Sequence, residues 1–207
     1  MANKYLLYSL IAIVLVVGGV AILNSGKNKQ IQPGNNVSMT DQINNQTPTK
    51  TATPAASATE SAMVVSSPAF SEGQQIPSEY TCDGTEKFPP LVFVGVPSDA
   101  VSLALVIDDP DAPGGTWTHF VAWNINPKVT EINTQKDLAG SVKGTNDFKK
   151  TDYGGPCPPS GTHRYYFKLY ALDNKLDLTK GTKDDLFKAI EGHIITQSSL
   201  MGTYSKQ

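Results

Sequence analysis

About forty residues, Asn24 to Ser66, divide the chain, because they hold almost nothing that a core could use. Gln, Asn, Thr, Ser, Ala and Pro dominate. The only apolar residues larger than alanine before Val65 are Ile31, Val37, Met39, Ile43, Met63 and Val64. Such a segment buries too little surface to offset the entropy of ordering it, and it reads as a disordered spacer. On its N-terminal side the pattern reverses. From Tyr5 to Leu23 nearly every residue is apolar, and no charge falls between Lys4 and Lys27. Nineteen residues at helical rise span roughly 28 Å, the thickness of a bilayer's hydrocarbon core. Residues 1–23 therefore read as a transmembrane helix or signal-anchor, 24–66 as a disordered linker, and 67–207 as one folded domain. The length of the apolar run favours a retained anchor, while Gly19-Val20-Ala21 would suit cleavage of a signal peptide. Either way the domain is expected outside the cytoplasm, membrane-anchored or secreted.

The C-terminal 140 or so residues suffice for one good core. They carry thirteen Lys/Arg against seventeen Asp/Glu, a net charge near −4, and this excludes a basic face for a nucleic-acid backbone. Short β-branched runs recur between Gly/Pro-rich breaks. Leu91–Val94 is one, and Val101–Ile107 reads as a central strand that stops at Asp108-Asp109-Pro110-Asp111-Ala112-Pro113-Gly114-Gly115. Thr116–Ile125 alternates, with His119, Val121, Trp123 and Ile125 expected on one face. His163–Leu172 alternates as well, with His163, Tyr165, Phe167, Leu169 and Ala171 together. Helical periodicity appears only at Thr182–Gly192, where Thr182 and Asp185 form a capping-box pattern and Gly192 suits the C-terminus. Strands separated by breakers argue for a mainly β, two-sheet antiparallel sandwich with a short helix near the C-terminus.

Two loop-to-strand junctions resemble each other. Asp109-Pro110-Asp111-x-Pro leads through Gly114-Gly115 to Trp117 and His119. Gly154-Gly155-Pro156-Cys157-Pro158-Pro159-Ser160-Gly161 leads to His163 and Tyr165. Proline fixes φ and removes donors, so the amides that remain are held in set directions, as a ligand site requires. No compact His-x-x-x-His spacing points to a metal. Ser160 lies only three residues from His163, and there is no Gly-x-Ser-x-Gly elbow, so no catalytic residue is assigned. Cys82 and Cys157, the only cysteines, either pair in an oxidising compartment or stand as free thiols; the sequence leaves both open.

These two segments resemble the signature regions of the phosphatidylethanolamine-binding protein (PEBP) family, closest to its prokaryotic, Raf kinase inhibitor-like branch. Ile76-Pro77-Ser78-Glu79-Tyr80-Thr81-Cys82-Asp83-Gly84 and Gly192-His193-Ile194 with Gly202-Thr203-Tyr204 fit the same branch. The resemblance covers about Phe70 to Ser205. It implies a β-sandwich with a small pocket at one end, formed here by Asp109, Asp111, Trp117, His119, Pro159, His163 and Tyr165. The pocket would take a phosphate-like anion or phospholipid headgroup by binding, without cofactor, metal or turnover. A surface-acting inhibitor of a kinase or protease, its partner unknown, is the alternative, and a hydrolase a more distant one. Cys157 departs from animal members, which carry a small residue there. Physically, Asp109 and Asp111 are expected to accept from imidazole N–H groups and loop amides, raising the protonated fraction of His119 and His163. Tyr165 OH and loop amides would then donate to the anion.

Overall fold

The computed structural model describes residues 62–207. The apolar run Tyr5–Leu23 and most of the spacer lie outside the described residues. Among those described, no helix is long and apolar enough to cross a membrane. The sandwich starts earlier than the boundary at 67. Strand β1 spans Val64–Ser66, and Met63 and Val65 are buried. A three-residue apolar patch at the end of a polar tract is too short to stand out in the sequence, but docked on a sheet it completes the core.

Among the described residues, eight strands make two antiparallel sheets. The smaller contains β1, β2 (Leu91–Val94) and β5 (Glu131–Ile132), in the order β1-β2-β5. The larger runs β6-β4-β3-β7-β8, with β3 Ser102–Asp109, β4 Trp117–Ile125, β6 Val142–Lys143, β7 Thr162–Leu172 and β8 Ile194–Ser205. Among the described residues the one α-helix, α1 (Lys183–Ala189), is capped at its start by Thr182. The Thr182 hydroxyl accepts from the Asp185 amide, and the Asp185 carboxylate accepts from the Thr182 amide. β8 is the element the sequence conceals. Its run of Thr, Gln and Ser looks like loop, yet it pairs with β7 along almost its whole length.

The larger sheet is covered on both faces, which explains the unbroken apolar character of β3: every residue in it is buried. Leu103, Leu105, Ile107, Phe167 and Leu169 face Val65, Leu91, Phe93 and Ile132 of the smaller sheet. On the opposite face Ala104, Val106, Val121 and Trp123 pack against Leu176 and against Leu186 and Ile190 of the α1 region. The Trp123 indole N–H donates to Leu178 O at 2.6 Å, so the largest buried side chain also has its polar atom satisfied.

Simple alternation does not hold along β4. The β3–β4 register shifts between Leu103 and Leu105 and again between Ile107 and Asp108, each shift admitting one extra β4 residue. The second extra residue is His119. It therefore shares the inter-sheet side with its neighbour Phe120, not with Val121 and Trp123 under the helix. The first is Asn124, at φ 57°, whose side chain bonds both the N–H and the C=O of Leu176 at 2.9 Å. Ile125 accordingly returns to the inter-sheet core. A bulge is the one device that can move an imidazole across a sheet without moving the strand.

Gly202 on β8 lies directly under Ile76 and Phe70. A Cβ there would meet Ile76 Cγ1 at 2.6 Å and Phe70 Cε2 at 2.7 Å. Gly202→Ala is therefore expected to cost about 1–3 kcal/mol in urea unfolding, with an unchanged denaturant slope.

Candidate functional site

β3 ends in two consecutive carboxylates that alternation sends to opposite faces. Asp108 goes to the helix side, where its Oδ2 accepts from Lys168 Nζ at 3.0 Å and lies 3.9 Å from Lys183 Nζ. Asp109 goes to the inter-sheet side at the open end of the sandwich. Its Oδ2 accepts from His163 Nδ1–H at 2.7 Å, and its Oδ1 accepts from the Asp111 amide at 2.8 Å, an Asx turn that starts the Pro110 loop. Asp109 and His163 are both buried, so the contact is a charge-assisted hydrogen bond with little competition from water.

His119 is held differently. Its Nδ1 lies 2.7 Å from Gly154 O, and because a carbonyl only accepts, Nδ1 carries the proton. Asn146 secures the same loop: its Nδ2 donates to His119 O and Asp152 O, and its Oδ1 accepts from the Lys150 amide. Gly154 has no room for a side chain, since a Cβ would meet the Phe148 ring at 2.5 Å. The His119 ring stands edge-on to Tyr165 at 5.2 Å and to Phe148 at 5.3 Å. Burial pushes this imidazole below its ordinary value of 6.5, against the opposing pull of the Gly154 carbonyl and the Asp109 carboxylate. The expected raising of its protonated fraction is reversed, because burial penalises the charged ring more than the Gly154 carbonyl and Asp109 favour it.

Both imidazoles line one cavity of about 470 Å³. Asp109, Trp117 and Pro159 line it too, with Asp147, Phe148 and Cys157. Trp117 and Phe148 form an edge-to-face pair at 5.6 Å, both partly exposed, and make an aromatic wall. Two expected residues stand elsewhere. Asp111 is taken by Arg164, whose Nε and Nη2 donate to its two oxygens at 2.8 and 2.6 Å, with the Arg164 amide adding a third bond at 3.0 Å. This fork holds the Asp111 carboxyl at about 2. The fork lies on the face of β7 away from the pocket, so Asp111 braces the loop and does not reach the imidazoles. Tyr165 is fully buried edge-on to His119, its hydroxyl near Asp109 but not in hydrogen-bonding geometry with any described group. Burial and Asp109 hold that phenol strongly protonated. Asp147 and Phe148 were not legible beforehand, since they sit on a loop with no motif. Arg164 was legible as a residue but not as the partner of a loop carboxylate.

Cys82 and Cys157 are joined, with Cα atoms 5.4 Å apart and 75 residues between them in sequence. Of the two alternatives left open, the structure has the bond. It fastens one wall of the cavity to the loop after Tyr80, and beside it the Cys82 amide donates to Pro156 O at 3.1 Å. Closing so long a loop is worth roughly 4–5 kcal/mol in the chain-entropy account. Among the described residues, no cluster of three or more His, Cys, Asp or Glu is arranged for a metal ion.

The described residues thus form a two-sheet antiparallel sandwich with an end cavity walled by two strand-borne histidines and two proline-rich loops. The family model for phosphatidylethanolamine-binding protein matches residues 66–205, and the chain belongs to that family. A UPF0098 protein of Methanothermobacter thermautotrophicus is 50% identical over 144 residues, which cover 67% of this chain and 95% of the relative. A UPF0098 protein of Chlamydia trachomatis is 43% identical over 150 residues, 70% of this chain and 99% of the relative. Among solved structures, the PEBP homologue CT736 of Chlamydia trachomatis superposes with a TM-score of 0.67 at 43% identity, covering 70% of this chain and 99% of its own. YbcL of E. coli, described as a member of the mammalian PEBP family, gives 0.65 at 29% identity, covering 71% and 100%.

A histidine held neutral by burial makes folding sensitive to pH. Below 6.5 the unfolded chain takes up a proton that the folded protein resists at His119, so stability is fully present above that value and declines as the pH falls through it. Urea midpoints measured from pH 8 to pH 5.5 should fall below about pH 6.5, and His119→Gln should flatten that slope.

Proposed function

We propose that the domain is a binding module for a phosphate-bearing anion, either a free phosphomonoester or a phospholipid headgroup, without turnover. The observation that carries this reading is the common anchoring of the two imidazoles. Each has Nδ1 engaged inside the protein, His163 by Asp109 and His119 by Gly154 O, and each lines the same cavity. The Nε2 edges are what remains for a ligand. A volume near 470 Å³ is in the range of small-ligand sites.

No lysine or arginine lines this cavity, while Asp109 and Asp147 do. Positive charge for an anion therefore has to come from the imidazoles themselves. Burial opposes a charged His119 in the empty site, and a phosphate dianion alongside would reverse that balance, so binding and proton uptake are coupled. The aromatic wall of Trp117 and Phe148 would cover the carbon portion of a headgroup. Titrating the full chain with phosphoethanolamine at pH 7 in buffers of different ionisation enthalpy should give net proton uptake. Affinity should rise about tenfold from pH 7.5 to pH 6.5 if one proton is taken up, and His163→Ala should remove binding. A pH-independent affinity that survives His163→Ala would reject the reading.

The apolar run Tyr5–Leu23 would hold this module at a membrane, with the domain on the extracytoplasmic side. The full chain should stay in the membrane fraction through high-salt and alkaline washes, and release by salt alone would remove the anchor.

A further inference from the structure

The main cavity does not end at its aromatic wall. β4 alternates at its start, so Trp117 faces the main cavity while Thr118 lines a second one of about 220 Å³. The two cavities share Thr116 and Asp147, so they adjoin over one ridge. The second cavity is lined only by threonines and charged residues. Thr116, Thr118 and Thr145 bring hydroxyls that no other described group engages, Thr182 has its hydroxyl taken by Asp185, and Asp147, Asp184 and Lys183 complete the lining. One Asp147 oxygen, Oδ2, already accepts from the Thr118 amide at 2.7 Å, and the other is left for a ligand.

Lys183 decides what kind of ligand fits. Its side chain is only 15% exposed, and its Nζ stands 3.9 Å from Asp108 Oδ2, a carboxylate that Lys168 already compensates at 3.0 Å. Lys183 and the threonine hydroxyls need an acceptor as well as a donor, which a hydroxyl offers and a choline- or ethanolamine-like ammonium does not. The Lys183 ammonium donates readily to hydroxyl oxygens. Three hydroxyls, a carboxylate acceptor and an ammonium donor are the complement of a polyhydroxyl group, and Trp117, 39% exposed at the boundary, offers a face for its C–H side.

Building on the anion reading of the main cavity, we infer that the cleft takes a phosphorylated polyol. The phosphate lies against His119 and His163, and the hydroxyls cross the Asp147 ridge to Thr118, Thr145 and Lys183. The same chemistry is available from a soluble sugar or glycerol phosphate and from the headgroup of a glycerol-bearing phospholipid.

The test is calorimetric titration of the full chain at one pH with inorganic phosphate, phosphoethanolamine and glycerol 1-phosphate. Glycerol 1-phosphate should bind about tenfold more tightly than the other two, the worth of two or so added hydrogen bonds. Thr145→Val, close to isosteric, should erase most of that advantage and leave inorganic phosphate unchanged; Thr118→Val should act the same way. Phosphoethanolamine binding as tightly as glycerol 1-phosphate, or a Thr145→Val loss shared equally by all three, would overturn the inference and leave the anion reading standing. Failure of all three to bind would reject the anion reading itself. Competition by phosphatidylglycerol vesicles that disappears in Thr145→Val would support the inference with a lipid as the source.

Discussion

A carboxylate at the end of a fully buried strand has to find a partner, and the contact between Asp109 and His163 is the constraint around which the open end of this sandwich is arranged. β3 lies between β4 and β7 and is covered on both faces, so it cannot shift to let Asp109 reach water. The imidazole of the neighbouring strand meets the charge, and the Asx turn on its second oxygen starts the proline loop. Asp108, one residue earlier, faces the same problem on the other side of the sheet, and Lys168 and Lys183 answer it there. Two adjacent acidic residues are thus fixed by opposite layers of the molecule. Breaking a buried pair by removing one partner costs several kcal/mol, since the remaining charge is left uncompensated.

The second histidine depends on backbone geometry and not on charge. Its place follows from one bulge residue in β4 and from a carbonyl offered by a loop that Asn146 holds closed. Two imidazoles in one cavity are therefore held differently, His163 by a carboxylate and His119 by a carbonyl, with burial lowering the pKa of His119. The cavity is therefore asymmetric in how its two rings are held.

Much of the fold was legible, and for identifiable reasons. β2, β3, β7 and α1 carry strong local signals: β-branched runs, clean alternation, a capping box. β3 nevertheless runs through Asp108 and Asp109, because pairing with β4 and β7 outweighs the poor strand propensity of aspartate. β8 and β1 were concealed. β8 is polar because it lies at a sheet edge with one side in solvent, and β1 is too short to show a period. The faces of β4 were misjudged, since a bulge breaks the two-residue period without marking the sequence. In the cavity, residue types were legible where loops and strands carried motifs. The pairing of Asp111 with Arg164 was not, because it depends on how a loop meets a strand across 53 residues of chain.

The bond between Cys82 and Cys157 makes the chain a ring. The ring encloses β2 through β6, and with them the central strand β3 and the bulged strand that carries His119. A protease that cuts any exposed turn inside it yields fragments that stay covalently joined. Nicked protein would keep its mass on a non-reducing gel and separate only after reduction. That topology turns a single backbone cleavage from the loss of a subdomain into a local scar.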